Sequence, residues 1–407
     1  MNENFQKARE LFFQGVADFE AGRFEAARGK FESSLALVPG RGSTLTNLAA
    51  THIKLSRPEA ALGFLEQALA AEPDDTEALW QRGIALSDLG RHEPALDAFE
   101  RLLALRPAHS EAWMLHGQTL QHLERHAQAM PSYDKALAID PGLAQAWTNQ
   151  GNILKDMGRL DEAAAAFRQA IAAGGNAEVN AYFLAAVATR ADGQPSPLAA
   201  PALYVRSLFD SYADSFDTHL VQVLHYQAHT VLVNGLQGLQ GLNGNRFRRA
   251  LDLGCGTGLC GPLAGPLVDH IDGVDLSPNM LAKAAELKVY RKLAQSDMVA
   301  FPQTAEQTYD LVLAADVFIY VGDLGPVFRA VASVMEGGGI FCFSAETPEG
   351  DKDFELKTSL RYGHSEAYLR ALAGRHGFDV VTVLRQPIRE DQRQAIAGQY
   401  WYLRRRY

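Results

Sequence analysis

The sequence has little cysteine, no long apolar run and no excess of positive charge. Its three cysteines, at 255, 260 and 342, form no C-x-x-C pair, so zinc ribbons and dithiol redox motifs have no support. Few, unpatterned cysteines fit a reducing compartment. No stretch approaches the ~18 continuous apolar residues that a membrane span needs. The opening MNENFQKARELF lacks the apolar segment of a signal peptide. We therefore expect a soluble, cytoplasmic protein without a metal site or membrane contact.

Basic residues are outnumbered, with 38 Lys and Arg against 48 Asp and Glu, for a formal net charge of −10. This balance gives no electrostatic reason to expect nucleic acid, whose binding rewards clustered Lys and Arg. A short basic run at 404–406 is typical of a solvated strand end. The hydrophobic fraction of 47% is that of an ordinary globular protein, and 407 residues predict two or more domains.

A 34-residue period runs through the first half of the chain. Prolines recur at 39, 73, 107 and 141, and small, aromatic and aliphatic residues keep the same period. Apolar residues three and four positions apart share one face of a helix, and proline ends the second helix of each unit. Small residues form one column, and large apolar residues form another sixteen positions on: Gly15, Ala49, Gly83, Gly117 and Gly151, then Phe31, Leu65, Phe99, Tyr133 and Phe167. The pattern predicts five helix pairs.

This 34-residue unit resembles the tetratricopeptide repeat (TPR). The resemblance implies an all-α solenoid over 1–177, closed by a capping helix and a proline-rich connector over 178–202. We expect its concave face to bind a protein or peptide, or a second subunit in a homodimer. Candidate groove residues on the first helix of each unit are Asn47, Trp80, Gln81, Met114, Gln118, Asn149, Asn152 and Lys155.

The most informative motif is ALDLGCGTG at 250–258, an apolar strand that ends in a glycine turn. Glycine accepts positive φ and lets a ligand approach the backbone, and the amides that follow suit a polar or anionic group. Asp275 ends a second apolar strand 21 positions after Gly254, where an acid can bind ribose hydroxyls. A dinucleotide site is the alternative, but Leu259 stands where its third glycine belongs.

The D-L-G-C-G-T-G block resembles motif I of class I S-adenosylmethionine (SAM) dependent methyltransferases. The stretches LFDSYADSFDTHL, DVFIYVGDL and RYGHSEAYL are similar to a bacterial family of TPR-containing members. The resemblance implies a Rossmann-like domain over 203–407 with a seven-stranded, mostly parallel sheet whose last strand is antiparallel. We predict its strands near 250–253, 271–275, 292–296, 309–315, 339–344, 379–385 and 398–404.

When the cofactor-binding residues of the family are matched to this sequence position by position, the resemblance implies that residues at the ends of three of these strands hold SAM. Asp252 and the three glycines cradle its methionine part, Asp275 binds the ribose, and Asp297 binds the adenine amino group. Asp316 faces the acceptor, and Tyr212 closes over the methionine end. The full predicted set is Tyr212, Asp252, Gly254, Gly256, Gly258, Asp275, Leu276, Met280, Asp297, Met298 and Asp316. A helix cap or a strand-end solubiliser is the plain alternative for each carboxylate.

The residues that would bind the methyl acceptor are harder to predict, because no Asn/Asp-Pro-Pro-Tyr element follows the fourth strand. Tyr320 is a candidate there, and His364 could be a general base near neutral pH. Arg361 could clamp a carboxylate, and Tyr362 could orient the nucleophile. In the plain alternative, Ser365 caps the next helix and His364 is an exposed loop residue.

Three functional hypotheses follow from these patterns. The first is a SAM-dependent methyltransferase whose repeats recruit a protein or peptide substrate or partner. The second is a small-molecule O- or N-methyltransferase whose repeats serve dimerisation or recruitment. The third is a repeat scaffold in which the SAM-binding domain is structural.

Overall fold

The structure, a computed structural model of the chain, describes residues 3–188, 197–213, 216–218, 220, 224–240, 246–305, 307–391 and 394–407. The chain divides into two compact units, Met1–Asn180 and Ala181–Tyr407.

The first unit is all-α, as the repeat pattern predicts. Among the residues described, ten helices form five successive pairs, and an eleventh helix follows them. The helices are α1 Glu3–Glu20, α2 Phe24–Leu37, α3 Gly42–Lys54, α4 Pro58–Ala71, α5 Thr76–Asp88, α6 His92–Leu105, α7 Ser110–His122, α8 His126–Ile139, α9 Ala144–Asp156, α10 Leu160–Ala172 and α11 Ala177–Val187. Within each pair the turn holds one residue at positive φ: Gly22, Ser56, Gly90, Glu124 and Gly158.

The small-residue column has a steric cause. A Cβ added to Gly83 would lie 2.4 Å from Cε1 of Phe99, and one added to Gly151 would lie 2.6 Å from Cε1 of Phe167. These approaches are shorter than any real carbon contact, so an aromatic ring on the second helix requires a glycine on the first. In the second pair the ring is replaced by Leu65, and the small position there is alanine.

The second unit is an α/β domain built on one sheet. Its central order is β3-β2-β1-β4-β5, all parallel, and β9 continues it antiparallel to β5, with β8 outside β9. The strands are β1 Phe247–Leu253, β2 Val268–Asp275, β3 Lys292–Gln295, β4 Tyr309–Ala314, β5 Met335–Glu346, β6 Phe354–Leu356, β7 Tyr362–His364, β8 Phe378–Asp391 and β9 Gln394–Arg405. The helices are α12 Ala202–Tyr212, α13 Ala228–Gln240, α14 Cys260–Ala264, α15 Pro278–Glu286, α16 Ala300–Thr304, α17 Gly325–Val334 and α18 Glu366–Arg375.

The Rossmann-like fold class with an antiparallel last strand is confirmed. Seven of the strands lie near the predicted ranges, and the short hairpin of β6 and β7 adds two more. That hairpin joins β5 through a single parallel pair, Glu346 with Gly363. Its three-residue strands are too short to show the alternation that identifies a strand in sequence, which is why no strand is predicted there.

Alternate residues of the central strands enter two separate apolar clusters, one on each face of the sheet. Leu251, Val312 and Phe343 belong to one cluster, whereas Leu311 and Cys342 belong to the other. Side chains of successive strand residues point to opposite faces, so both faces are buried. The carboxyl ends of β1, β2 and β4 then share one edge, which is where ligands bind in open α/β sheets.

Candidate functional site

The glycine turn after β1 forms the floor of the site. Gly254, Gly256 and Gly258 all have positive φ, at 67°, 54° and 93°. A Cβ on Gly254 would lie 2.4 Å from Cγ2 of Val317, and one on Gly258 would lie 2.8 Å from Cδ1 of Leu287. A Cβ on Gly256 would meet no atom within 4 Å. The outer two glycines therefore serve packing, and the middle one leaves open space for a ligand.

Asp275, at the end of β2, is fastened to that turn. Its Oδ2 accepts a hydrogen bond of 2.9 Å from the backbone N–H of Gly256, and its Oδ1 accepts one of 2.9 Å from the N–H of Ser277. Burial raises the pKa of this carboxyl, and the backbone N–H donors act against that rise. The carboxylate thus fixes the glycine turn at the edge of the cavity.

A cavity of about 290 Å³ opens over the turn. The predicted residues that line it come from the ends of β1, β2, β3 and β4 and from the turn before β7: Asp252, Gly254, Gly256, Asp275, Leu276, Asp297, Met298, Asp316, Tyr320 and Arg361. Met280 is fully buried in α15, and Gly258 packs against Leu287. The side chain of Tyr212 lies outside the described residues.

Helix α12 and the residues after it cover the cavity. Val205, Leu208 and Phe209 line it from α12. The Oδ1 of Asp210 accepts a 2.6 Å hydrogen bond from the hydroxyl of Ser277, next to Asp275. Asp217 in the same way accepts a 2.5 Å bond from the hydroxyl of Thr257, within the glycine turn. The lead-in segment is therefore tied to the two loops that form the floor.

Asp252 and Asp297, like Asp275, accept hydrogen bonds from groups of the protein itself. Asp252 is buried in β1, and its Oδ2 accepts a 2.7 Å bond from the hydroxyl of Tyr290. Burial raises the pKa of Asp252 to about 7. Asp297 accepts bonds at its Oδ1 from the N–H groups of Val299 and Ala300, at 2.7 and 3.2 Å. The second arrangement fastens Asp297 to the turn before α16.

Asp316 lies at the other end of the cavity in a buried ion network. It has a left-handed backbone, with φ at 56°, and both of its oxygens accept bonds from Nη1 of Arg389, at 2.9 and 2.8 Å. Arg389 also donates to Glu346, which accepts a 3.1 Å bond from Nζ of Lys357. Burial raises the pKa of Asp316, and the guanidinium of Arg389 opposes that rise. The charge of Asp316 is therefore compensated inside the protein.

Only two of the four predicted acceptor-side residues line the cavity. Tyr320 and Arg361 line the cavity, and the Tyr320 ring packs edge-on against Phe209 at 5.5 Å between centroids. Burial raises the pKa of Tyr320, and the charge and hydrogen bond of Arg361 act in the opposite direction. Tyr362 instead turns its hydroxyl to the carbonyl of Pro197, at 2.7 Å. Its contacts are those of a structural residue.

The role predicted for His364 needs correction. It is fully buried in β7, and its Nε2 lies 2.8 and 3.1 Å from the carbonyl oxygens of Val321 and Gly322. Two carbonyl acceptors require an N–H at Nε2, and burial lowers the pKa of the imidazole to about 4. His364 is a neutral donor that supports the segment after β4, neither a base in the cavity nor an exposed loop residue. The capping role of Ser365 is correct, since its hydroxyl accepts from the N–H of Tyr368.

Sequence reasoning missed three residues at this site. His229 and Tyr226 line the cavity, with their rings stacked at 5.2 Å. Burial lowers the pKa of His229, and its Nδ1 is buried without a hydrogen-bond partner among the described residues. Arg389 is the third. No motif identifies them: Tyr226 and His229 precede the first predicted strand, and Arg389 falls between the predicted strands at 379–385 and 398–404.

The described residues include neither a metal-binding cluster nor a membrane-spanning helix. No group of three or more His, Cys, Asp or Glu side chains is arranged to hold a metal ion. No helix in that part of the chain is long and apolar enough to cross a membrane.

Comparison with known proteins agrees with this geometry. Residues 251–341 match the family described as a methyltransferase domain. Residues 18–81, 81–144 and 132–165 match tetratricopeptide repeat families. The matched methyltransferase segment spans β1 to β5 of the α/β domain and includes the glycine turn. The chain joins such a domain to tetratricopeptide repeats.

Individual relatives resemble only part of the chain. A malonyl-[acyl-carrier protein] O-methyltransferase of Legionella pneumophila is 34% identical over 134 residues, which are 32% of this chain and 46% of that protein. The mitochondrial arginine-hydroxylase NDUFAF5 of Rattus norvegicus is 28% identical over 34% of this chain and 44% of that protein. A solved magnesium protoporphyrin IX methyltransferase from Synechocystis, with bound SAH, is 18% identical, with a TM-score of 0.39, over 50% of this chain and 99% of that one. The chain spans less than half the length of both curated relatives.

Proposed function

We propose that this protein is a methyltransferase that uses SAM as its methyl donor. The observation that carries the proposal is the backbone of Gly256, which has positive φ and faces open space between Asp275 and the covering helix. A Cβ would fill that space, so the site fits a ligand that lies directly against the main chain.

Several residues would hold this cofactor in the cavity. Asp275 suits the ribose hydroxyls, because a half-buried carboxylate at the end of β2 is a strong acceptor. Asp297 and Met298 follow β3 and suit the adenine end, and Gly256 suits the methionine part. When bound, SAM supplies a methyl group already activated by a sulfonium centre.

The chain's own residues position the acceptor and exclude water. The apolar side chains of Leu208, Phe209 and Leu220 line the cavity, and a dry cavity strengthens polar contacts made inside it. Tyr320 and Arg361 supply the polar groups on the acceptor side, and holding the two reactants in line accounts for much of the rate.

Calorimetric titration of SAM into the full chain tests the cofactor site. We expect saturable binding that Asp275→Ala weakens at least tenfold, whereas Asp269→Ala leaves it unchanged. Asp269 lies on the same strand, but its side chain is half exposed and pairs with Arg246 at the surface. Undiminished binding in a folded Asp275→Ala protein would contradict the proposed site.

The repeats, we propose, recruit a protein or peptide substrate or partner. The supporting observation is a set of half-buried polar side chains on the first helices of successive pairs: Asn47, Gln81, Gln118, Asn149 and Asn152. Such amides can bind an extended backbone through donor and acceptor groups. A cytoplasmic location and association into a homodimer stay predictions.

A small-molecule O- or N-methyl acceptor is the second candidate, and the extent to which α12 covers the cavity favours it. A lysate assay with methyl-labelled SAM separates the two. A protein acceptor gives labelled protein that disappears with the combined change Gln81→Ala, Gln118→Ala and Asn152→Ala. A small acceptor gives label of low molecular mass that the combined change does not alter.

A further inference from the structure

One wall of the cavity is formed by the start of helix α13 and the segment before it, and most of that wall is apolar. Its apolar lining includes Phe216, Leu220 and Leu224. Two rings with polar atoms interrupt it, those of Tyr226 and His229, which stack at 5.2 Å between centroids and 13° between planes. The stacking fixes the plane of the imidazole within the wall.

The two ring nitrogens of His229 have different surroundings. Nε2 lies 3.2 Å from Oγ1 of Thr230, whereas Nδ1 is buried and has no hydrogen-bond partner in the part of the chain that the structure describes. A neutral imidazole carries one N–H and one lone pair, and a proton on Nε2 can be donated to the Thr230 hydroxyl. That tautomer leaves the lone pair on Nδ1. Buried polar groups are nearly always paired, so Nδ1 is suited to a donor from a ligand.

The stacked pair lies between the glycine turn and Asp316. Burial lowers the pKa of His229, and the nearby carboxylate of Asp217 acts against that change. Asp217 also accepts a 2.5 Å bond from the hydroxyl of Thr257, within the glycine turn. Burial raises the pKa of Tyr226 well above its usual value, and the charge of Asp316 adds to that rise. His229 is therefore neutral at pH 7, and it lies near a carboxylate that stabilises its protonated form.

The other titratable groups of the cavity lining are less suited to accept a proton. The carboxylates accept hydrogen bonds from protein donors, which lowers their basicity: Asp252, Asp275, Asp297 and Asp316. Burial raises the pKa of Cys255 and Cys260 well above the usual thiol value. It also raises the pKa of Tyr226 and Tyr320, so the thiols and phenols stay protonated at neutral pH. Arg361 is a cation without a lone pair to offer.

A neutral hydroxyl matches this wall best among common methyl acceptors. It donates a hydrogen bond to Nδ1 and brings no net charge against Phe216, Leu220 and Leu224. A protonated amine would bring a positive charge against the same side chains. A carboxylate is already ionised at neutral pH, so it has no proton for a base to remove.

We propose that His229 is the general base of the methyl transfer and that the acceptor is a hydroxyl group on an apolar body. The acceptor oxygen forms a bond to the methyl carbon of SAM while the carbon–sulfur bond breaks, its electron pair stays on sulfur, and the hydroxyl proton passes to Nδ1 of His229. The imidazolium then gives that proton to water. This inference rests on the proposed methyltransferase function and names the class of its acceptor.

Nitrogen NMR of the full chain with isotope-labelled histidine tests the base directly. The signals of His229 are assigned by their loss in His229→Asn. In the SAH-saturated protein at neutral pH we expect a neutral ring with its proton on Nε2 and the lone pair on Nδ1. A proton on Nδ1, or a ring that is already charged, would overturn the inference.

Calorimetric titration tests the acceptor class. SAH is titrated first, which reports the cofactor site and thus the proposed function. Phenol, 1-naphthol and 4-nitrophenol, and their methyl ethers anisole, 1-methoxynaphthalene and 4-nitroanisole, are then titrated into the SAH-saturated protein. We expect at least one phenol to bind tenfold or more tightly than its ether. His229→Leu should remove that preference, and His229→Asn, whose amide oxygen still accepts a hydrogen bond, should keep part of it.

His225→Asn is the matched control, because His225 is exposed and its Nδ1 pairs with Glu390 at 2.9 Å. Its φ of 47° is one that asparagine tolerates. This variant should leave the phenol preference and SAH binding unchanged. The inference is overturned if no phenol binds better than its ether, or if His229→Leu keeps the preference. It is also overturned if His229→Leu weakens SAH binding tenfold, since the imidazole would then hold the cofactor. Failure of SAH to bind the wild-type chain refutes the proposed function instead.

Discussion

Replacing Gly256 with alanine separates the cost of backbone strain from the loss of a ligand site. Gly256 has φ at 54°, and an alanine in this left-handed backbone conformation lowers the folding stability by roughly 1–2 kcal/mol. Its Cβ meets no protein atom within 4 Å, so no packing cost is added. The methyl group would instead occupy the space that we assign to SAM. We expect a loss of SAM affinity of at least tenfold, or about 1.4 kcal/mol.

Gly90→Ala is the matched control, because Gly90 has φ at 68° and a Cβ there also meets nothing within 4 Å. Both variants should lose similar free energy of unfolding, measured by denaturant titration, and only Gly256→Ala should lose SAM affinity, measured by calorimetry. Gly254→Ala should be the least stable of the three, since its Cβ would lie 2.4 Å from Val317. Normal SAM affinity in Gly256→Ala would refute the reasoning.

Three other predictions concern the free energy of unfolding. Between pH 4 and 6.5 the unfolded state binds one more proton than the native state at His364, and one fewer at Asp252. His364→Gln removes the first difference, so the slope of unfolding free energy against pH should become more negative than in wild type by about 1.4 kcal/mol per pH unit. Asp252→Asn removes the second, so the slope should become more positive by a similar amount. Urea titrations measure both slopes, and unchanged slopes would contradict both assignments. Tyr182→Phe removes the buried hydroxyl that donates to the carbonyl of Leu360, so it should lower the free energy of unfolding by about 1–3 kcal/mol; an unchanged denaturation midpoint would show that this bond adds nothing to stability. Gly83→Ala should cost about 1–3 kcal/mol, whereas Gly63→Ala, on an open helix face, should gain about 0.5–1 kcal/mol; equal denaturation midpoints would refute the steric account of the column.

The parts of the fold that repeat, or that depend on local chemistry, could be predicted from sequence. The two columns that contain Gly83 and Phe99 recur every 34 residues, because these two positions contact each other within a helix pair. The sequence therefore shows the repeat directly. The strand that ends before Gly254 leads into the glycine turn, and Asp275 is bonded to that turn through Gly256. Both the turn and Asp275 lie at the cavity.

The acceptor side depends on contacts between distant residues, which one sequence does not reveal. Arg389 meets Asp316 across 73 positions, in a stretch whose composition suggests a solvated turn. His364 was a reasonable base by residue type, but strand β7 buries it against the carbonyl oxygens of Val321 and Gly322. Tertiary packing decides both outcomes, and neither position carries a local signal.

A crystal structure of the full chain with SAH tests the central claim most directly. We expect SAH in the cavity over the glycine turn, with a ribose hydroxyl within hydrogen-bonding distance of Asp275 and the homocysteine part against Gly256. SAH bound elsewhere, or a cavity that stays without SAH at saturating concentration, would contradict it.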